Sequence, residues 1–138
     1  YDFDYSFVYG KADVLRDGND GSMWVCGTPV TKAVKAVDTL REEGIFLELL
    51  YVSSPLHLDL AQLKSSAGKG IIFSVEDHSV NGGLGTSIAD ALAVNSLSAK
   101  LVKTGVKQYP ISGEANDLYH WAGLDTASLI AMVKKYLA

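Results

Sequence analysis

Two carboxylates and a histidine follow an apolar run near the middle of the chain. Glu76, Asp77 and His78 come directly after residues 71–75, which read Ile-Ile-Phe-Ser-Val. With a carboxylate partner, His78 could serve in proton transfer. Adjacent side chains on an extended strand point to opposite sides, so Glu76 and Asp77 are a poor acid–base pair on their own. We therefore favour a polar strand end that caps the following loop or contacts another domain, with proton transfer as the alternative.

A glycine-rich loop comes next and leads into a helical pattern. Gly83 and Gly85 match the first two glycines of a dinucleotide fingerprint, but Ile88 stands where the last glycine or alanine belongs. We favour a structural role, in which Gly82, Gly83 and Gly85 allow a positive φ or close helix–strand packing. Free N–H groups at a helix N-terminus can bind an anion, and Thr86 adds a hydroxyl there. A weak phosphate or carboxylate site is therefore the alternative for this loop.

The remaining chemical candidates form no catalytic or metal-binding pattern. His57 and His120 fall in separate predicted elements, and His57 has only Asp59 beside it as a further ligand type. Zinc needs three or four close ligands, so no metal site is predicted. Cys26 would be a nucleophile only with an activating base, and its place within an apolar run predicts a buried thiol instead. We expect no catalytic, cofactor-binding or metal-binding residue in this chain.

Apolar runs with strand-like content alternate with helical patterns along the chain. Strands are predicted over residues 23–26, 45–52, 71–75 and 99–106, with 7–9 and 12–15 as shorter candidates before them. Helices are predicted over 29–43, 59–66, 83–93, 114–121 and 126–137. Thr28 is the predicted cap of the first helix, Gly44 its stop, and Asp125 the cap of the last. This alternation predicts a parallel or mostly parallel sheet covered on both faces.

Length and composition narrow the possible partners. The chain has 138 residues, the size of one domain, and a net charge of −4. The chain has no basic face that could bind the phosphates of nucleic acid or of an anionic membrane, so neither partner is expected. Every apolar run is much shorter than a membrane-spanning helix, which needs about 20 residues. No signal peptide is visible. The lone cysteine fits a reducing compartment, and we expect a cytoplasmic protein.

Several motifs occur together in a characteristic order. They are Gly-Lys-Ala with Leu-Arg-Asp-Gly at residues 10–18, Trp-Val-Cys-Gly at 24–27, Glu-Gly-Ile at 43–45, Val-Glu-Asp-His at 75–78, Gly-Gly-Leu-Gly at 82–85, Ser-Gly at 112–113 and Gly-Leu-Asp at 123–125. In this order the chain resembles the C-terminal domain of transketolase and its thiamine-diphosphate-dependent relatives. One departure is His57, which stands at or near a position where members often carry aspartate.

The resemblance implies a fold and a division of the chain. The fold is a three-layer α/β/α sandwich with about five strands, mostly parallel with one antiparallel. Residues 1–20 would be an interdomain linker with an opening strand, and residues 21–138 the C-terminal domain itself. The site implied by the residues is an interdomain or anion loop, made of Glu76, Asp77, His78, Gly82, Gly83, Gly85 and Thr86.

The resemblance also implies a biochemical context. The parent would transfer a two-carbon ketol unit between sugar phosphates in the pentose phosphate pathway, as a homodimer using thiamine diphosphate and Mg²⁺. Those cofactors would lie between its pyrophosphate-binding and pyrimidine-binding domains, and none would be bound by this fragment, which we expect to be inactive alone. The chain would be an excised domain or the tail of a split enzyme. The alternative is a docking domain of a 2-oxo acid dehydrogenase beta subunit or of a deoxyxylulose-phosphate synthase.

Overall fold

The computed structural model describes residues 4–109 and 111–137, so residues 1–3 of the predicted linker lie outside the described part. Strands and helices alternate along most of the chain. In order they are β1 (Ala12–Arg16), β2 (Ser22–Cys26), α1 (Val30–Glu42), β3 (Glu48–Val52), α2 (Leu60–Ala67), β4 (Ile71–Ser79), α3 (Leu84–Val94), β5 (Lys100–Val106), α4 (Ala115–Ala122) and α5 (Thr126–Leu137).

The strands form one five-stranded sheet in the order β1-β3-β2-β4-β5. β1 runs antiparallel to β3, whereas the other neighbouring strands are parallel. The central strands are apolar and almost entirely buried, as expected for parallel strands covered on both faces. The mixed, mostly parallel sheet of the expected sandwich is thus confirmed.

Alternate side chains of the sheet enter two separate hydrophobic layers. On one face, Met23 and Phe73 pack with α1 and α5 through residues such as Val37 and Leu129. On the other face, Trp24 and Ile72 pack with α2 and α3 in a second cluster, whose members are Trp24, Leu50, Val52, Leu63, Ala67, Ile72, Leu84, Ile88 and Leu92. This period-two division follows from strand geometry and places helices on both sides of the sheet.

The helix ends explain why the predicted strand 45–52 begins later than expected. Gly44 takes a left-handed φ of 87° after α1, and its N–H bonds the carbonyl of Arg41. The N–H of Ile45 reaches back to the carbonyl of Leu40, so Gly44 and Ile45 complete a Schellman motif. Gly44 is confirmed as the stop of α1, and β3 begins only at Glu48 because Ile45 belongs to that cap.

Two predictions for the first thirty residues are wrong: the strand at residues 7–9 and the cap of α1 at Thr28. Residues 7–9 form no strand, because the chain turns at Gly10, whose φ is 77°. The predicted short strand at 12–15 is confirmed as β1, and it pairs with β3. Thr28 does not cap α1: Pro29 takes the cap position without a side-chain hydrogen bond, and the Thr28 hydroxyl bonds Asp77. The role of residues 1–20 as a linker stays a prediction.

The helices are short. α1 has 13 residues, whereas α2 and α4 have 8 each. At about 1.5 Å per residue, even α1 falls well below the roughly 30 Å of a bilayer's hydrocarbon core. Within residues 4–109 and 111–137, no helix is long and apolar enough to cross a membrane.

Candidate functional site

The candidate residues lie at the carboxyl edge of the parallel strands. Cys26 at the end of β2 pairs with Glu76, and β4 continues past it to Ser79, which pairs with Val106 at the end of β5. The longer β4 therefore carries Asp77 and His78 beyond the end of β2. In open α/β sheets this is the edge at which ligands are usually bound.

Glu76 is buried and caps helix α3 from within the protein. Its side chain is 1% exposed, and its carboxylate accepts hydrogen bonds from the backbone N–H of Leu84 at 2.6 Å and of Gly85 at 3.0 Å. Gly83, the cap residue, has no side chain to do this. A carboxylate at a helix N-terminus is stabilised by the free N–H groups and by the helix dipole.

The cap changes the interpretation of the loop as an anion site. The N–H groups of Leu84 and Gly85 are taken by Glu76, and those of Thr86 and Ser87 bond the carbonyl of Gly83 at 3.0 Å. The first turn of α3 therefore has no free backbone donor for a phosphate or a carboxylate ligand. The protein's own carboxylate takes that place at Leu84 and Gly85. The interpretation of the whole loop as an interdomain or anion loop stays a prediction.

Each glycine of the loop has a separate structural reason. Gly82 has a φ of 86°, and its N–H bonds the Thr86 hydroxyl at 3.0 Å. A Cβ on Gly83 would collide with the carboxylate of Glu76. A Cβ on Gly85 would lie 2.5 Å from Ser74 Oγ and 2.6 Å from Lys103 Cδ. The loop needs a left-handed residue at one position and close approach at the other two.

Asp77 faces the opposite side of the strand, as adjacent positions require. Its Oδ2 accepts hydrogen bonds of 2.8 Å from the hydroxyls of Tyr119 and Thr28, whose oxygens lie 2.5 Å apart. The close approach of the Thr28 hydroxyl lowers the pKa of Tyr119, but burial, the hydrogen bond to Asp77 and the charge of Asp77 outweigh it and raise that pKa above its ordinary value. Lys32 Nζ lies 3.9 Å from the centre of the Tyr119 ring. Asp77 thus joins β4 to the start of α1 and to α4.

Neither Thr28 nor Tyr119 was identified as a site residue from the sequence. Thr28 lies 49 residues before Asp77 and Tyr119 lies 42 residues after it. The three residues come together only because β4 pairs with β2 and α4 packs beside the end of β4. No local sequence motif predicts these long-range contacts.

The three histidines lie apart from one another. His78 is largely exposed, with Nδ1 3.0 Å from the carbonyl of Ser79 and 4.0 Å from Glu76 Oε2. The ring of His57 lies against that of Tyr9, with centres 5.0 Å apart. His120 Nδ1 lies 3.1 Å from Asp125 Oδ2. The described ranges contain no group of three or more histidine, cysteine or acidic residues placed to hold a metal ion.

Asp125 and Cys26 have structural roles. Asp125 Oδ1 accepts the N–H of Ser128 at 3.0 Å, which confirms it as the cap of α5. Cys26 is half-buried, where a fully buried thiol was expected, because it stands at the open end of β2. Burial, and then the charges of Glu76 and Asp77, raise its pKa to about 11. A thiol with that pKa is a poor nucleophile at neutral pH.

Exposed apolar side chains gather along this edge. The segment before β1 is held there by the N–H of Gly10, which bonds Ser54 Oγ at 3.0 Å, and by the contact of Tyr9 with His57. We call the exposed apolar residues of this edge the apolar rim: Phe7, Val8, Tyr9, Leu56, Leu60, Tyr109 and Ile111. Leu56 is 83% exposed and Tyr109 is 95% exposed. Contiguous exposed apolar surface is typical of interaction sites, so the interdomain role of this edge stays a prediction.

Known proteins resemble the chain along nearly its whole length. The family model described as "Transketolase, C-terminal domain" matches residues 10–129. A protein of Methanocaldococcus jannaschii named "Putative transketolase C-terminal section" is 35% identical over 90% of this chain and 39% of its own length. One subunit of the apulose-4-phosphate transketolase of Phocaeicola vulgatus is 33% identical over 88% of this chain and 39% of its own length.

A solved structure supports the same assignment. "Split gene transketolase, inactive beta4 tetramer" superposes with a TM-score of 0.86 and 33% identity, over 97% of this chain and 43% of that one. The chain therefore spans about two-fifths of the length of these relatives. It belongs to the transketolase C-terminal domain family.

Proposed function

We propose that this chain serves as the C-terminal domain of a thiamine-diphosphate-dependent transketolase, an enzyme that transfers a two-carbon ketol unit between sugar phosphates. Its task there is packing and assembly. The apolar rim carries this proposal, because it places seven large exposed side chains along one edge of the sheet, and exposed apolar surface is typical of contacts with other proteins or domains. Isolated from its neighbours, the domain is expected to be inactive.

The residues of this edge do not fit thiamine diphosphate or its Mg²⁺. The N-terminal turn of α3 would be the natural seat for a diphosphate, but the buried carboxylate of Glu76 holds its donors. The described residues also include no acidic or histidine cluster for the metal. The cofactors would be held by the pyrophosphate-binding and pyrimidine-binding domains of the parent, which are the expected partners of this edge.

The relatives are long enough to contain such partner domains in addition to the region that matches this chain. The curated proteins named above are more than twice as long as their match to this chain. The solved split-gene transketolase is described as a tetramer of its beta chain. We propose a homodimer for the parent of this domain, working in the cytoplasm and in the pentose phosphate pathway.

A pair of charge substitutions tests the packing role in the longer polypeptide that carries this domain. Leu56→Glu lies on the apolar rim, whereas Val94→Glu lies at the end of α3, at the other edge of the sheet, with 74% exposure. We expect Leu56→Glu to impair both assembly, measured by sedimentation, and ketol transfer from a ketose phosphate to an aldose phosphate. Val94→Glu should leave both unchanged. Equal behaviour of the two variants would contradict the proposal.

A second candidate parent is a deoxyxylulose-phosphate synthase. A relative named "1-deoxy-D-xylulose-5-phosphate synthase" from Chlorobium luteolum is 31% identical over 92% of this chain and 20% of its own length. Product analysis of the longer polypeptide separates this activity from ketol transfer. A 2-oxo acid dehydrogenase beta subunit would instead bind an acyltransferase core, which affinity capture followed by mass spectrometry would identify.

A further inference from the structure

Helix α4 is the least deeply packed helix of the domain. Among its described residues none is buried, whereas α1, α2, α3 and α5 each bury at least two. It is held by the hydrogen bond between Tyr119 and Asp77 and by the partly buried side chains of Tyr119 and Ala122, which pack against the core. A helix with this little burial is expected to leave space against the sheet.

That space is an apolar groove of about 380 Å³ between α4 and the end of β5. Its walls are aliphatic and aromatic and include Val106, Leu118, Trp121 and Leu124. A cavity of this size can hold one large side chain. Tyr109, a member of the apolar rim, lines a second cavity that shares Val106 with the groove. Ile111 lies on the same loop between β5 and α4.

The lining of the groove also includes a carboxylate, that of Asp77, and the hydroxyl-bearing side chain of Tyr119. Asp77 lines it, and both hydroxyl donors to Asp77 bond the same oxygen, Oδ2. Within residues 4–109 and 111–137, no hydrogen bond reaches Oδ1 of this exposed side chain. An occupant that places a donor or a cation beside its apolar side chain would meet both features.

We propose that this groove, named here the α4 groove, receives a large apolar side chain of the parent polypeptide outside these 138 residues, with a hydrogen-bond donor beside it for Asp77. The proposal rests on the proposed function and deepens it, because it names the contact that fastens the domain to its neighbour. The length of the relatives supports this occupant, since over half of each of these relatives lies outside the matched region. The neighbouring rim residue Tyr109 supports it too, because it lines a cavity that shares Val106 with the groove.

Hydrogen–deuterium exchange can distinguish a contact at the α4 groove from a contact elsewhere along the carboxyl edge of the sheet. It compares the 138-residue chain with the longer polypeptide, and circular dichroism confirms that both are folded. We expect exchange in residues 111–122 and in 76–83 to slow on the order of tenfold or more in the longer polypeptide. Protection of 76–83 without 111–122 would overturn the groove and leave the proposed function standing. Absence of protection in both segments and in residues 7–9 and 56–60 of the apolar rim would contradict both.

A matched pair of substitutions on α4 fills the groove without changing the core. Ala115 lines the groove and is exposed, whereas its neighbour Asn116 is exposed and absent from the lining. In the longer polypeptide, Ala115→Leu should return exchange of 111–122 to the rate of the 138-residue chain. Asn116→Leu should retain the protection. If Ala115→Leu retains it as well, the groove is not the seat of the contact.

Discussion

Glu76 Oε2 accepts a hydrogen bond of 2.6 Å from the backbone N–H of Leu84, eight residues further along the chain. Through this bond a carboxylate at the end of β4 caps helix α3, whose own cap residue is a glycine. The bond also explains why a helix start that looks like an anion site from its sequence has no backbone donors to offer. It joins the strand, the loop and the helix into one unit.

Glu76→Gln should lower the free energy of unfolding by about 2 kcal/mol. The amide keeps one acceptor oxygen, but it loses the charge and presents an NH₂ group to the N–H groups of Leu84 and Gly85. Urea denaturation of the chain measures the change. Asp90→Asn, on the exposed face of α3, is the matched control and should stay within about 0.5 kcal/mol of the parent. An equal loss in both variants would contradict the cap.

The three loop glycines should differ in their tolerance of alanine. Gly82→Ala should cost about 1 kcal/mol, because φ is 86° but nothing lies within 4 Å of the added Cβ. Gly83→Ala and Gly85→Ala should cost more, about 1–3 kcal/mol, because their Cβ atoms would collide with Glu76 and with Ser74.

Thermal unfolding of the three variants tests this order. Gly68→Ala serves as the control, since Gly68 has a φ of −60° and no contact closer than 3.3 Å. It should melt at or above the temperature of the parent. The account of the loop fails if Gly83→Ala and Gly85→Ala melt with it.

Tyr119→Phe should loosen α4 while the rest of the domain stays intact. The change removes the hydroxyl that bonds Asp77 and retains the ring beneath Lys32. We expect a loss of about 1 kcal/mol in overall stability and faster amide exchange confined to α4. Tyr109→Phe, at a residue that is 95% exposed, should change neither quantity. Faster exchange throughout the sheet would show that Tyr119 supports the core instead.

Cys26 should alkylate slowly and with a shifted pH profile. With its pKa raised from 9.0 to about 11, its reaction with iodoacetamide at pH 9 should be roughly fiftyfold slower than that of an unfolded cysteine peptide. Since the folded state keeps the proton, the chain should lose stability as pH rises from about 9 to 11, and Cys26→Ser should remove that part of the loss. Equal alkylation rates in folded and unfolded chains would contradict this assignment.

Most of the strands and helices could be predicted from the sequence. Period-two and helical patterns are local, so the four parallel strands and five helices were identified, as were the stop at Gly44 and the cap at Asp125. The division of Glu76 and Asp77 between the two faces follows from strand geometry alone. The short strand expected at 7–9 was wrong because aromatic content does not reveal that the chain turns at Gly10.

The partners of the candidate residues could not be predicted in the same way. Thr28 looks like a helix cap, but its hydroxyl turns to Asp77, which arrives only when β4 pairs beside β2. Glu48 likewise accepts bonds from Ser22 at 2.6 Å and Ser66 at 3.0 Å, residues that are distant in sequence. Such contacts depend on sheet order, which no local pattern contains.

Calorimetric titration of the 138-residue chain with thiamine diphosphate in the presence of Mg²⁺ tests the central claim most directly. The claim is that this domain contributes packing surface and no cofactor site, because Glu76 occupies the backbone donors at the start of α3. The account predicts no saturable heat of binding. Saturable binding at micromolar concentration would contradict it.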